Sequence, residues 1–237
     1  MSKVVLGVAT GLVALAWVGV VSAAAPIDLY NDGPRTETVQ AGGLHHIGDL
    51  KRGTVYGAST FPLKLTVRPP DALWLGGQTQ ARTFRFVIFQ HKLVRNAQGK
   101  VSVWGGGEMA VETAVGKTGS VAQTLENLRA TPNVSSQKPV STRVAGFAGQ
   151  QFDATVTGAE PGEGGEAFVP FSGAARPGGD HLFVKKGEKV RIIVIAAHGK
   201  TVVIYEQGSE GNVAKTFPAF VSAATRFLKT MSLGTKG

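Results

Sequence analysis

Two apolar runs near the carboxyl end, Val190 to Ala197 and Thr201 to Gln207, are separated only by His198-Gly199-Lys200. A connection that short leaves no room for a crossover, so the runs must pair as an antiparallel hairpin, with Gly199 free to take positive φ. Much of the chain repeats the pattern in weaker form. Leu63 to Arg68 alternates apolar with polar and reads as a half-exposed strand, whereas Phe84 to Phe89 begins with that period and then becomes apolar on both sides, as a central strand does. Further strands are expected around Gly107 to Val115, Val140 to Val144, Gln150 to Val156 and His181 to Val184. Gly105-Gly106-Gly107 reads as a turn.

Helical spacing replaces the period of two in two stretches. Ser120 and Gln123 have the separation of a capping box, and Val121, Leu125 and Leu128 fall on one face before Pro132 ends the helix. Near the carboxyl end, Thr216 is placed to cap a helix. Its stripe Phe217, Phe220, Val221, Ala224, Phe227, Leu228 and Met231 belongs in a core, with Pro218 tolerable in the first turn. The expected class is α+β: an antiparallel sheet of about six to eight strands flanked by a short central helix and a longer carboxyl-terminal helix.

Between the helices, Gly158 to Gly179 is rich in glycine and proline and reads as one long loop, in which Phe168-Val169-Pro170-Phe171 could dock on something or tuck against the domain edge. Residues 26 to 50 read as a polar tail and 51 to 234 as one domain. Residues 1 to 25 have the order of a secretory signal: Lys3, an uncharged run from Val4 to Val21, then Ser22-Ala23-Ala24-Ala25, with cleavage expected after Ala24 or Ala25. The alternative is an uncleaved amino-terminal membrane anchor. The chain has no cysteine, which excludes disulfides and a lipid-bearing thiol at the cleavage site. The expectation is a secreted or periplasmic protein.

Lys and Arg number 25 against 16 Asp and Glu, a formal charge of +9, and the excess is concentrated. Lys51 to Lys100 holds nine basic residues against the single acid Asp71. That stretch is either a face for an anionic partner, with Arg82, Arg85, Lys92 and Arg95 as the candidate contacts, or the water-facing side of a half-buried sheet. Nucleic acid is not expected as a partner, because the chain shows neither zinc-finger spacing nor an aromatic RNA-recognition signature.

The order of motifs resembles the Mog1/PsbP-like fold, in particular exported actinobacterial proteins of that type. The resemblance is carried by Gly53-Thr54-Val55-Tyr56 before Ser59-Thr60-Phe61, the run Leu63 to Val67 leading to Trp74, and Thr124 to Val134. It continues through Val144-Ala145-Gly146-Phe147 to Asp153 and the hairpin and helix from Val190 to Leu233. It implies an antiparallel sheet flanked by helices that serves as a docking module. The Gly158 to Gly179 loop and Pro69-Pro70-Asp71 depart from the pattern.

Chemistry-bearing patterns are few. His45, His46 and Asp49 could offer metal ligands, but adjacent side chains diverge, and no metal or cofactor is expected. Asp180-His181 reads as a loop-to-strand junction and Asn133-Val134-Ser135 as a glycosylation acceptor in a eukaryotic source. There is no nucleophile elbow, zinc-protease motif or phosphate-binding loop, so no catalytic residue is assigned. The functional expectation is a non-catalytic interaction or adaptor module of the cell envelope with an envelope protein as partner; the alternative is a binder of anionic lipid or cell-wall polymer through residues 51 to 100.

Overall fold

A computed structural model describes residues 25–28, 48–59, 61–80, 83–95, 101–113, 120–158, 166–169, 182–208 and 213–236. The elements in chain order are β1 (Ile27–Asp28), β2 (Gly48–Asp49), β3 (Tyr56–Ala58), β4 (Lys64–Val67), β5 (Trp74–Gln80), β6 (Thr83–Arg95), β7 (Val101–Thr113), α1 (Val121–Arg129), β8 (Val134–Ser136), β9 (Val140–Val144), β10 (Phe147–Val156), β11 (Glu166–Val169), β12 (Leu182–Lys185), β13 (Lys189–Ala197), β14 (Lys200–Gly208), α2 (Val213–Leu228) and β15 (Ser232–Gly234). The class is α+β, with mostly antiparallel strands.

The expected hairpin forms β13 and β14, but its turn is His198-Gly199 rather than the three residues His198-Gly199-Lys200: Lys200 already pairs with Ala197, and the register is unbroken to Val190 opposite Gln207. His198 and Gly199 both have positive φ, 48° and 72°, which gives a two-residue turn the twist the strands need. Ala145 and Gly146 repeat this geometry between β9 and β10, at 50° and 85°. The turns are linked: the Phe147 and His198 rings meet edge to face at 5.0 Å, and His198 Nε2 lies 3.2 Å from the Leu233 carbonyl oxygen in β15.

The large sheet has nine strands in the order β2-β5-β6-β7-β14-β13-β10-β8, with β9 also on β10. It therefore exceeds the expected six to eight. Leu63 to Arg68 is not part of it: β4 lies in a second, four-stranded sheet, β1-β3-β4-β15, where it pairs with β3 on one side and the carboxyl-terminal β15 on the other. β1 and β2 come from the stretch read as a polar tail and pair with β3 and β5.

Alternation assigns the two faces of the large sheet to different helices. Ala110, Phe152, Ala154, Ile192, Val194, Val203 and Tyr205 pack with Leu125 and Leu128 of α1. Met109, Val111, Ile193, Ile195, Val202 and Ile204 pack with Phe220, Ala224 and Phe227 of α2, and that core continues into the second sheet through Tyr56, Phe61, Leu65 and Leu233. Trp74 is fully buried against α2, its ring centroid 4.5 Å from that of Phe227 and 6.3 Å from that of Phe220.

Three local expectations are corrected. Gly105-Gly106-Gly107 is not a turn but part of β7: the register shifts there, with His91 opposite Gly106 and Lys92 opposite Trp104, so Gly105 is the extra residue of a bulge. Thr216 does not cap α2, which starts at Val213, so Pro218 lies inside the helix, beyond its first turn. Gly158 to Gly179 is not one uninterrupted loop, since Glu166–Val169 pairs with Leu182–Lys185 as a two-stranded sheet. Ser120 does cap α1, its Oγ accepting from the Gln123 N–H at 3.2 Å, but the Gln123 side chain donates to Asn127 Oδ1 instead of closing the capping box.

Gly107 shows why the bulge strand carries glycine. A Cβ there would stand 2.5 Å from the Phe220 ring and closer still to the Gln207 carbonyl oxygen. Gly107→Ala is expected to destabilise the protein by about 1–3 kcal/mol, the usual cost of overpacking, read as a lowered urea midpoint at unchanged slope. A midpoint equal to wild type would show that α2 does not seat on β7 this tightly.

Candidate functional site

On the α2 side of the large sheet, register places Asp153, Arg191, Glu206 and Met109 side by side on β10, β13, β14 and β7. Arg191 stands between two carboxyl groups and bonds to one. Its Nε donates to Asp153 Oδ1 at 2.7 Å and its Nη2 to Oδ2 at 3.0 Å, a bidentate pair whose side chains are 22% and 24% exposed. The Asp153 carboxylate holds the Arg191 guanidinium above the ordinary arginine pKa, against the opposing effect of burial.

Glu206 is fully buried, and neither carboxyl oxygen has a hydrogen-bond partner within the protein. Burial pushes its pKa up to about 8; Arg191 pulls the other way, and Asp153 adds to the rise. The side chain is thus mainly neutral at pH 7. The neighbourhood is apolar: Met109 lies opposite on β7, and Met109 packs in one core with Phe220 of α2.

Beyond Arg191 the helix no longer covers the sheet. A cleft of about 520 Å³ opens there, with Asp153, Thr155, Lys189 and Arg191 as its floor, Phe217, Pro218, Val221 and Ser222 of α2 as one wall, and Ser135, Ser136 and Gln137 as the outer rim. Ser135, Thr155 and, one strand further, Lys189 are in register, on the row next to the Asp153 and Arg191 pair. On β14 and β7 the same face carries Gly208 and Gly107, which admit Phe217 and Phe220. Small residues draw the helix down on one side; polar ones hold the cleft open on the other.

The residues singled out in the sequence lie elsewhere. Arg82 is outside the described residues, while Arg85, Lys92 and Arg95 are on β6, Lys92 opposite Trp104 and Arg95 opposite Val101, across the sheet from the cleft strands. Lys51, Arg52, Lys64 and Arg68 are exposed. His45, His46, Asp180 and His181 lie outside the described residues, and Asp49 is in β2. Among the described residues no three His, Cys, Asp or Glu gather to hold a metal ion, and no helix is long and apolar enough to cross a membrane. Pro170 and Phe171 are also outside the described residues, whereas Phe168 pairs with Phe183.

Asp153, Arg191 and Glu206 were not marked by any motif, yet one signal was available. Each is a charge set among mostly apolar residues inside a strand, and the hairpin brings Arg191 and Glu206 together; they stand directly opposite because the turn is His198-Gly199 alone, one residue shorter than the connection expected from the sequence. Neither a protein-family model nor a curated protein sequence matches the chain.

The raised Glu206 pKa makes stability pH-dependent with a definite sign. Between the ordinary glutamate value of 4.5 and about 8 the folded state keeps a proton that the unfolded state has lost. This contribution to stability is therefore complete below pH 4.5 and declines as pH rises to about 8, by up to about 1.4 kcal/mol per pH unit. Glu206→Gln, neutral throughout, is expected to flatten that slope and to be more stable than wild type above pH 8 in urea titrations run from pH 4 to 9. An unchanged slope would place the titrating group elsewhere.

Proposed function

We propose that the protein is an exported, non-catalytic interaction module of the cell envelope whose partner is another envelope protein. The observation that supports this is the cleft between β8 and α2, which is already open and carries its charges in fixed positions. Pre-organised polar groups beside an apolar helix wall suit recognition, since little ordering remains to be done on binding. The resemblance of Gly53 to Leu233 to the Mog1/PsbP-like fold supports the same reading, with a short helix on one sheet face and a longer carboxyl-terminal helix on the other as the frame of a docking module. Export follows from residues 1 to 25 as a cleaved signal, or from the same segment retained as an anchor.

A second reading keeps the compartment and changes the partner. Lys51, Arg52, Lys64 and Arg68 are all exposed, which favours anionic lipid or wall polymer as the ligand of residues 51 to 100, with Arg82, Arg85, Lys92 and Arg95 contributing.

Crosslinking of the tagged chain in envelope extract from its source, followed by mass spectrometry at low and high salt, separates the two. The adaptor reading expects one protein partner retained at high salt. Capture of anionic lipid or polymer alone, lost with salt and with charge reversal of Arg82, Arg85, Lys92 and Arg95, would replace it with the second.

A further inference from the structure

The floor of the cleft is built from two neighbouring rows of side chains on the α2 face of the large sheet. Asp153 and Arg191 stand side by side in one, and Ser135, Thr155 and Lys189 in the next. The first row carries no net charge, because Arg191 holds Asp153 through both carboxylate oxygens. The second carries one. Lys189 is exposed and has no ion pair among the described residues. Glu188, its neighbour in the chain, is buried and accepts from Gln207 Nε2 at 3.2 Å instead.

Hydroxyl groups adjoin that ammonium on one side and an apolar wall on the other. Thr155 is opposite Lys189 and Ser135 opposite Thr155, and neither hydroxyl bonds to another side chain among the described residues. On the other side of Lys189, the register that sets Val190 opposite Gln207 brings Gly208 alongside. Phe217 fills the space over Gly208, where a Cβ would stand 3.2 Å from the Phe217 Cα, and the wall continues through Pro218 and Val221. A cation, two hydroxyls and an apolar wall thus lie within three strand spacings, roughly 15 Å. The cleft volume of about 520 Å³ is that of a small-molecule site, for which about 300–1,000 Å³ is usual.

We propose that the cleft binds a small organic carboxylate with an apolar body, its carboxylate on the Lys189 ammonium and the Thr155 and Ser135 hydroxyls and its body against Phe217, Pro218 and Val221. A monoanion matches the single uncompensated charge of the floor, and a charge-assisted hydrogen bond to Lys189 fixes its head. A cationic ligand would meet the repulsion of Lys189 and find the Asp153 carboxylate already engaged by Arg191. Such a ligand is separate from the protein partner proposed above, and its binding does not rest on that partner.

The probe is 4-phenylbutyrate, titrated against the full chain by isothermal calorimetry at low salt. Saturable binding is expected, about tenfold weaker for 4-phenylbutanamide, which lacks the charge, and for acetate, which lacks the body. Lys189→Met should weaken binding about tenfold, since the charge-assisted bond is lost, and Ser222→Trp, which fills the cleft from its wall, should abolish it. Both positions are exposed, so the fold is kept, and unchanged urea midpoints check this. The amide resonances of Thr155 and Lys189 should shift on binding while that of Gly199 stays fixed. Absence of saturable binding, equal binding of the amide or by Lys189→Met, or shifts confined to another surface would overturn the proposal. Tighter binding of the tetrapeptide Ala-Ala-Ala-Phe through its free carboxyl end would overturn it too, making the end of a partner chain the occupant.

Discussion

The seating of α2 on the large sheet is the constraint from which most of the structure follows. Phe220 can approach the β7 backbone because position 107 has no side chain, and the same helix brings Phe227 against Trp74 from β5. An aromatic cluster of this kind contributes both buried area and ring geometry, and it holds together strands far apart in the sequence. The second sheet depends on it as well, because the chain leaving α2 runs into β15, where Thr230 Oγ1 accepts from the Arg68 N–H and Leu233 pairs opposite Leu65. Where α2 sits also decides where it does not sit, and the cleft is the part of the sheet face that it leaves uncovered.

The Asp153, Arg191 and Glu206 row shows how a sheet can carry charge close to a core. Cross-strand neighbours compete for one guanidinium, and the more exposed carboxylate obtains the bidentate geometry. Solvent still reaches that pair, which lowers its desolvation cost, whereas an ionised Glu206 would sit beside apolar side chains with no compensating donor. Protonation resolves the conflict by removing the charge. The arrangement is therefore electrostatically settled at neutral pH, with the floor of the cleft held by one ion pair.

Edge exposure and charge meet at a single margin. The border formed by β8 and β9 is interrupted by Lys138 and Pro139, residue types that discourage unselective pairing between sheet edges. The part next to α2 has instead a wall of α2 side chains, a floor that holds the charged residues Asp153, Lys189 and Arg191, and an uncharged polar rim.

Much of the local structure was legible in the residues. The hairpin turn at Gly199, the strands around it, the Ser120 cap and the apolar helical stripe from Phe217 to Leu228 are short-range features, set by turn geometry, capping and period, and they recur in the structure, whereas Met231 is buried beyond the end of the helix. Errors arose where long-range packing overrides local signals. The glycines at 105 to 107 have the composition of a turn but lie in a strand, because Phe220 needs the space and β6 imposes the register. Leu63 to Arg68 has the period of a strand, but period cannot say which sheet a strand joins, and the pairing of β4 with β3 on one side and β15 on the other decides that. The candidate site divides in the same way. The sequence by itself determines that Arg191 and Glu206 belong to one hairpin; that a two-residue turn sets them face to face, that Asp153 takes Arg191, that Glu206 is left neutral, and that a cleft opens beside them were decided by the tertiary structure, because strand register, β10 and α2 are fixed only by packing.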